Sequence, residues 1–177
     1  MKLDKFDLKI LRALQTDGRL PAAKLGEAIG LTPSPTWERV RRLEQSGIVR
    51  GYHADIAIEQ LSQFTHAIVS VMLASHRTQD FRRFEEGIAA IPEIVECWAV
   101  GGETDYVLRF VCAGSGACQD TIERALHAEL GIESYWTCVV ARTVKPFAGM
   151  PLDRLMSDTP DAGFAVAPDV AAGPGRS

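Results

Sequence analysis

The spacing of apolar residues changes near residue 65, and the change divides the chain. Before it, apolar positions recur three and four residues apart, as on helices with one buried face. Leu8, Leu11 and Leu14 share a face of the first helix. Asp4 is placed to cap its start, with Asp7 three residues on and Leu3 set to staple against Leu8, and Gly18 stops it. A second helix opens at Pro21, where a missing N–H costs nothing, buries Leu25 and Ile29, and ends at Gly30. Thr32 caps a third, with Pro33 at its first position and Gly47 closing it. Trp37, Val40 and Leu43 are expected to face inward, leaving Ser34, Glu38 and Arg42 roughly opposite and Thr36, Arg39 and Arg41 on the flanks. A helix, a tight glycine turn and a second helix make a helix-turn-helix, whose second helix enters the DNA major groove. Ile48–His53 reads as an extended connector leaving this small domain.

From Thr65 the pattern becomes mixed. Thr65–Ala74 alternates as a strand, with Ala67, Val69, Val71 and Leu73 on one face. Gln79–Ile91 is helical, aligning Phe81, Phe84, Ile88 and Ile91 before Pro92 ends it. Ile94–Val100 and Asp105–Cys112 read as two strands of a hairpin through Gly101-Gly-Glu-Thr104. Ser115–Glu129 is a second helix, striped by Cys118, Ile122, Ala125 and Leu130, and Glu133–Lys145 a last strand. The order β-α-β-β-α-β predicts a ferredoxin-like α+β sandwich. Tyr135 and Trp136 alternate on the last strand, so one is expected under the helices and the other on the open sheet face. An exposed apolar sheet face calls for a partner subunit, so the chain is expected to dimerise. The resulting division is a helix-turn-helix domain over 1–50, a connector over 51–64, an α+β domain over 65–146 and a flexible tail over 147–177. Within the tail, Pro151–Met156 could pack one turn.

The net charge of −4 argues at first against a nucleic-acid partner. Its distribution removes the objection: residues 1–50 hold ten Lys and Arg against six Asp and Glu, whereas 51–177 hold nine against seventeen. The positive charge lies where phosphates would be met. No apolar run approaches the ~20 residues needed to span a bilayer, and the charged start Met1-Lys-Leu-Asp-Lys-Phe-Asp7 lacks a signal-peptide core, so a cytoplasmic protein is expected. Cys97, Cys112, Cys118 and Cys138 are too widely spaced for a metal site, and His53, His66, His76 and His127 lack ligand spacing. Neither a metal, a catalytic residue nor a cofactor is expected.

Arginines on a helix of unknown role more often solvate it. The glycine turn and the local positive charge, together with the family resemblance that follows, shift Arg39, Arg41 and Arg42 towards phosphates or guanine edges, with Ser34 and Thr36 near the helix start able to reach bases or backbone.

Five short motifs in order carry a resemblance: Leu3-Asp-x-x-Asp7 with Ile10-Leu11, Gln15-x-Asp-Gly-Arg19, Glu38-Arg-Val-Arg-Arg-Leu-Glu44, Gly47-Ile-Val-x-Gly-Tyr52 and Gly101-Gly-Glu-Thr-Asp-Tyr106. Over residues 2 to about 145 the chain resembles the Lrp/AsnC (feast/famine) transcriptional regulators. The resemblance implies operator binding followed by a ligand-sensing domain that dimerises and often builds tetramers or octamers. It also implies a small-molecule pocket between subunits, lined by Gly101, Glu103, Asp105 and Tyr106 on the loop side and by Thr137 and Val139 on the last strand. Amides and a hydroxyl there suit an amino acid's carboxylate, and a carboxylate suits its ammonium. The expected function is a sequence-specific regulator of a palindromic double-stranded DNA operator, tuned by an amino-acid effector. The rivals are a chromosome-organising protein without an effector and a tetrapyrrole-pathway decarboxylase of similar layout, for which the chain offers no histidine cluster.

Overall fold

The computed structural model describes residues 3–126 and 130–157. They form two compact units: one holds the described residues up to Ala54 with those from Pro146 to Ser157, the other is Asp55–Lys145.

In the first unit, α1 (Lys5–Thr16), α2 (Ala22–Ile29) and α3 (Pro33–Gln45) enclose Ile10, Leu25, Ile29, Val40 and Leu43. Asp4 caps α1 by accepting from the N–H groups of Phe6 and Asp7, and the Asp7 carboxylate accepts from the N–H of Asp4. The fully buried positions of α1 are Asp7 and Ile10, and Leu11 and Leu14 of the expected Leu8–Leu11–Leu14 stripe pack partly buried against the same core. Pro21 is the N-cap of α2, which ends at Gly30 in the left-handed conformation (φ 79°, ψ 36°). At Gly26 a Cβ would lie 2.7 Å from the Leu31 carbonyl oxygen and 3.0 Å from Thr36 Oγ1, so the turn from α2 to α3 closes only over glycine.

The second unit runs β1 (Thr65–Leu73), α4 (Thr78–Ala89), β2 (Ile94–Ala99), β3 (Tyr106–Cys112), α5 (Ser115–Leu126) and β4 (Ile132–Val139). Its strands form one antiparallel sheet in the order β2-β3-β1-β4, the expected β-α-β-β-α-β arrangement. Burial alternates along β1 from His66 onwards and along the whole of β3. Ala67, Val69, Val71, Leu73, Leu108 and Phe110 point from one face into Phe84 and Ile88 of α4 and Cys118, Ile122 and Ala125 of α5.

Three expectations change. The last strand stops at Val139, opposite Ala67, with one further bond from the Val140 N–H to the His66 carbonyl, while Thr65 and His66 of β1 continue to pair with β3 alone. Neither Tyr135 nor Trp136 is covered by the helices; β4 is an edge strand, and they are 39% and 73% exposed. The tail from 147 is structured at its start, because Leu152–Ser157 form α6 and Met150 is held on α1 through Gln15. The expected helical residues 127–129 and the tail from 158 lie outside the described residues. Among the described residues no helix is long and apolar enough to cross a membrane, and no His, Cys, Asp or Glu cluster could hold a metal.

Candidate nucleic-acid interface and effector pocket

The register of α3 decides which of its side chains can meet DNA. Thr36, Val40 and Leu43 are buried, and the solvent face carries Ser34, Trp37, Glu38, Arg41 and Gln45. Two sequence readings are corrected. Trp37, expected in the core, is 54% exposed, whereas Thr36, expected to reach DNA, is fully buried. The Thr36 hydroxyl donates to the Thr32 carbonyl at 2.8 Å, and its small side chain fits against Gly26 where an indole would not. Thr36 therefore locks the turn and is not a DNA contact.

Arg39 and Arg42 leave α3 towards the start of α1. Arg39 donates to Asp4 at 2.7 Å and to Asp7 at 2.8 Å, and Arg42 donates to both Asp7 oxygens at 2.7 Å. Asp7 is completely buried, so two guanidinium groups and the Asp4 N–H replace its lost water. Desolvation pushes the Asp4 carboxyl up, but the N–H groups of Asp7 and Phe6 and the Arg39 guanidinium outweigh it and hold it below the usual range. The Arg42 side chain stays 47% exposed, so it can touch a phosphate while clamped; Arg39 is 24% exposed. Arg41 makes no ion pair among the described residues. At the far end of α3, Tyr52 packs beside Gly18 and donates to Glu44 at 2.9 Å. Burial and that carboxylate push the phenol up to about 12.

The loop between β2 and β3 is fixed by its base. The Asp105 N–H and the Thr104 hydroxyl both donate to the Val71 carbonyl, at 2.9 and 2.7 Å. The Asp105 carboxylate accepts from the Leu73 N–H at 2.8 Å and lies 3.0 Å from His76 Nε2. Gly101, Gly102 (φ 121°) and Glu103 remain exposed above this base. Tyr106 is corrected as a ligand contact: it is 2% exposed, stacks on Phe84 at 4.4 Å and donates its hydroxyl to Glu85 at 2.8 Å. Its phenol is pushed up by burial and by that carboxylate.

Thr137 and Val139 are exposed on the helix side of β4, opposite Val69 and Ala67. Tyr106 is opposite Val71. With β1 between β3 and β4, they stand about 10 Å across the sheet from Tyr106 and about 7 and 13 Å further along it. One chain therefore does not bring the two sides of the expected pocket together.

Sequence reasoning missed three partners: His76 beside Asp105, Asp7 as the anchor of two arginines, and the exposed Trp37. Both Trp37-Val40-Leu43 and Thr36-Val40-Leu43 fit a helical stripe. Only the Gly26 close approach, which favours a small neighbour, could have chosen between them.

Comparison with known proteins matches residues 3–44 to the AsnC-type helix-turn-helix domain and residues 66–150 to the Lrp/AsnC ligand binding domain. The chain is 44% identical to the transcriptional regulatory protein DoeX of Halomonas elongata, over 88% of this chain and 99% of that one. Among solved structures, an AsnC family transcriptional regulator from Agrobacterium tumefaciens superposes with a TM-score of 0.80 at 31% identity, covering 86% of this chain and 99% of the other. A transcriptional regulator from Neisseria meningitidis, solved as an L-Met complex, superposes with the same TM-score at 32% identity and the same coverage.

Proposed function

The chain belongs to the Lrp/AsnC family of transcriptional regulators, and from that premise we propose that it binds a palindromic operator as a dimer whose affinity a free amino acid tunes. The observation that carries the reading is α3. A left-handed glycine turn sets it on a positively charged unit, with Ser34 and Arg41 on its solvent face and Arg42 clamped at its flank. Ser34, Arg41 and Arg42 contact the operator, with Arg39 steadying the interface from behind.

The effector reading is supported by the loop base. A carboxylate offers about four acceptor positions, and those of Asp105 left by Leu73 and His76 suit an ammonium group. The exposed amides of Gly101 to Glu103 suit a carboxylate. The L-Met complex of the Neisseria relative is consistent with an amino acid. Thr137 and Val139 would reach such a ligand from a second copy.

Self-association is supported by the sheet's open face. One register row crosses all four strands as Trp98, Val107, Ser70 and Trp136, with Ile68 and Met72 beside it. His66 Nε2 and Arg109 Nε are buried there without a hydrogen-bond partner. A second sheet packed on this face would cover the tryptophans, and two-fold symmetry implies a palindromic site.

The test is binding to the DNA upstream of its own gene against random duplex at near-physiological salt, repeated with each standard amino acid. Preference for the upstream duplex, altered by one or a few amino acids and insensitive to them after Asp105→Ala, is expected. Equal binding to all DNA would overturn the operator reading in favour of a chromosome-organising role.

A further inference from the structure

Resting on the operator reading, we infer that Trp37 reads a base of that operator, through apolar contact with a thymine methyl group in the major groove. Trp37 is the fifth residue of the 13-residue α3, in the half of a recognition helix that meets base edges. It lies in the exposed stripe Ser34, Trp37, Glu38, Arg41 and Gln45, whose other members are all polar. The buried side of the helix is already filled by Thr36, Val40 and Leu43. Trp37 is 54% exposed and takes no part in the unit's apolar core.

The charges around it fix the kind of partner. Arg39 and Arg42 are drawn back to Asp4 and Asp7 on one flank, leaving Arg41 one turn beyond Trp37 without an ion pair among the described residues. An indole next to an available guanidinium, in a segment of net positive charge, suits a polyanion. An uncharged ring gains nothing from phosphate itself. On the floor of the major groove the apolar feature is the C5 methyl of thymine, and an aromatic or methyl-bearing side chain is what recognises it. Glu38, beside Trp37 on the same stripe, adds an acceptor for a cytosine amino group and disfavours drifting onto the backbone.

Removing the methyl group alone tests the contact. A duplex is selected by the wild-type protein from a random-sequence library, and each thymine is replaced in turn by deoxyuridine. Wild-type protein is expected to lose about three- to tenfold in affinity at one thymine per half-site. Trp37→Ala is expected to bind the selected duplex about tenfold more weakly, to bind random DNA as wild type does, and to be indifferent to that methyl. Trp37→Phe should recover part of the methyl sensitivity. Equal methyl sensitivity in wild type and Trp37→Ala would overturn the inference. So would an equal loss on selected and random DNA, which would mark a backbone contact. A changed oligomeric state with DNA selectivity intact would assign the ring to a protein interface instead. If the wild-type protein enriches no sequence, the operator reading itself fails.

Discussion

The carboxylate of Asp7 is fully buried beside the arginines of the next helix but one, and it answers three donors at once: the Asp4 N–H, Arg39 and Arg42. A charge taken out of water this completely persists only because the guanidinium groups replace the solvent. Removing it is less severe for the arginines, since Arg42 is half exposed and can turn to water. Asp7→Ala is therefore expected to cost about 2–3 kcal/mol, from the lost charge-assisted hydrogen bonds and the broken capping box. Urea unfolding followed by helical circular dichroism measures it. Asp7→Asn, which keeps an acceptor for the Asp4 N–H, should lose less. Both variants should weaken DNA binding beyond their effect on stability, because in the proposed interface an unclamped Arg42 must be ordered again on the phosphate. Full DNA affinity in a folded Asp7→Ala protein would show that the clamp serves folding alone.

At the scale of elements, period and punctuation carried most of the fold. Gly30 and Gly47 mark the ends of α2 and α3 because both need positive φ (79° and 72°), and the strand alternation of β1 and β3 is the burial pattern itself. What stayed hidden depended on partners distant in sequence. β4 ends opposite Ala67, two residues short of the start of β1, which the β-branched run to Lys145 does not disclose. The candidate site was legible as segments, but the buried states of Thr36 and Tyr106 come from neighbours at Gly26 and Phe84. The segment before α6 shows the same dependence. Gln15 of α1 accepts from the Met150 N–H at 2.5 Å and donates to its carbonyl at 3.3 Å, while Arg12 pairs with Asp153. Gly149, at φ 103°, lets the chain pass beside Gln15, where a Cβ would stand 3.1 Å from the amide oxygen. Nothing in a Pro- and Gly-rich stretch announces a two-point amide clamp 135 residues away. Gln15→Ala should release it, and tryptic cleavage after Arg154 should accelerate about five- to tenfold, as expected for losing two modest hydrogen bonds that oppose local opening. An unchanged cleavage rate would mean that Arg12 and Asp153 hold the segment without the amide.

For the whole molecule, the second unit solves only half of its own hydrophobic problem. α4 and α5 cover one face of the sheet, while the other carries a tryptophan at each edge of a single register row, Trp98 at 46% exposure and Trp136 at 73%. A sheet with one apolar face open to water calls for a covering layer, which in the proposed dimer a second copy supplies without any new sequence. In the proposed dimer, two-fold symmetry relates the two DNA-binding units, and a palindromic operator with half-sites about one helical turn, roughly 34 Å, apart is expected. Because Trp136 packs on little within its own chain, Trp136→Glu should leave the fold intact and place a charge where the second sheet must dry the surface. Light scattering at micromolar concentration should then report a dimer or larger assembly for the wild type and a monomer for the variant. The monomer should still bind random DNA weakly through its own basic unit, while losing the preference for a palindrome that only paired recognition helices provide. A Trp136→Glu protein that remains dimeric would move the interface off the open sheet face and leave the two tryptophans unexplained.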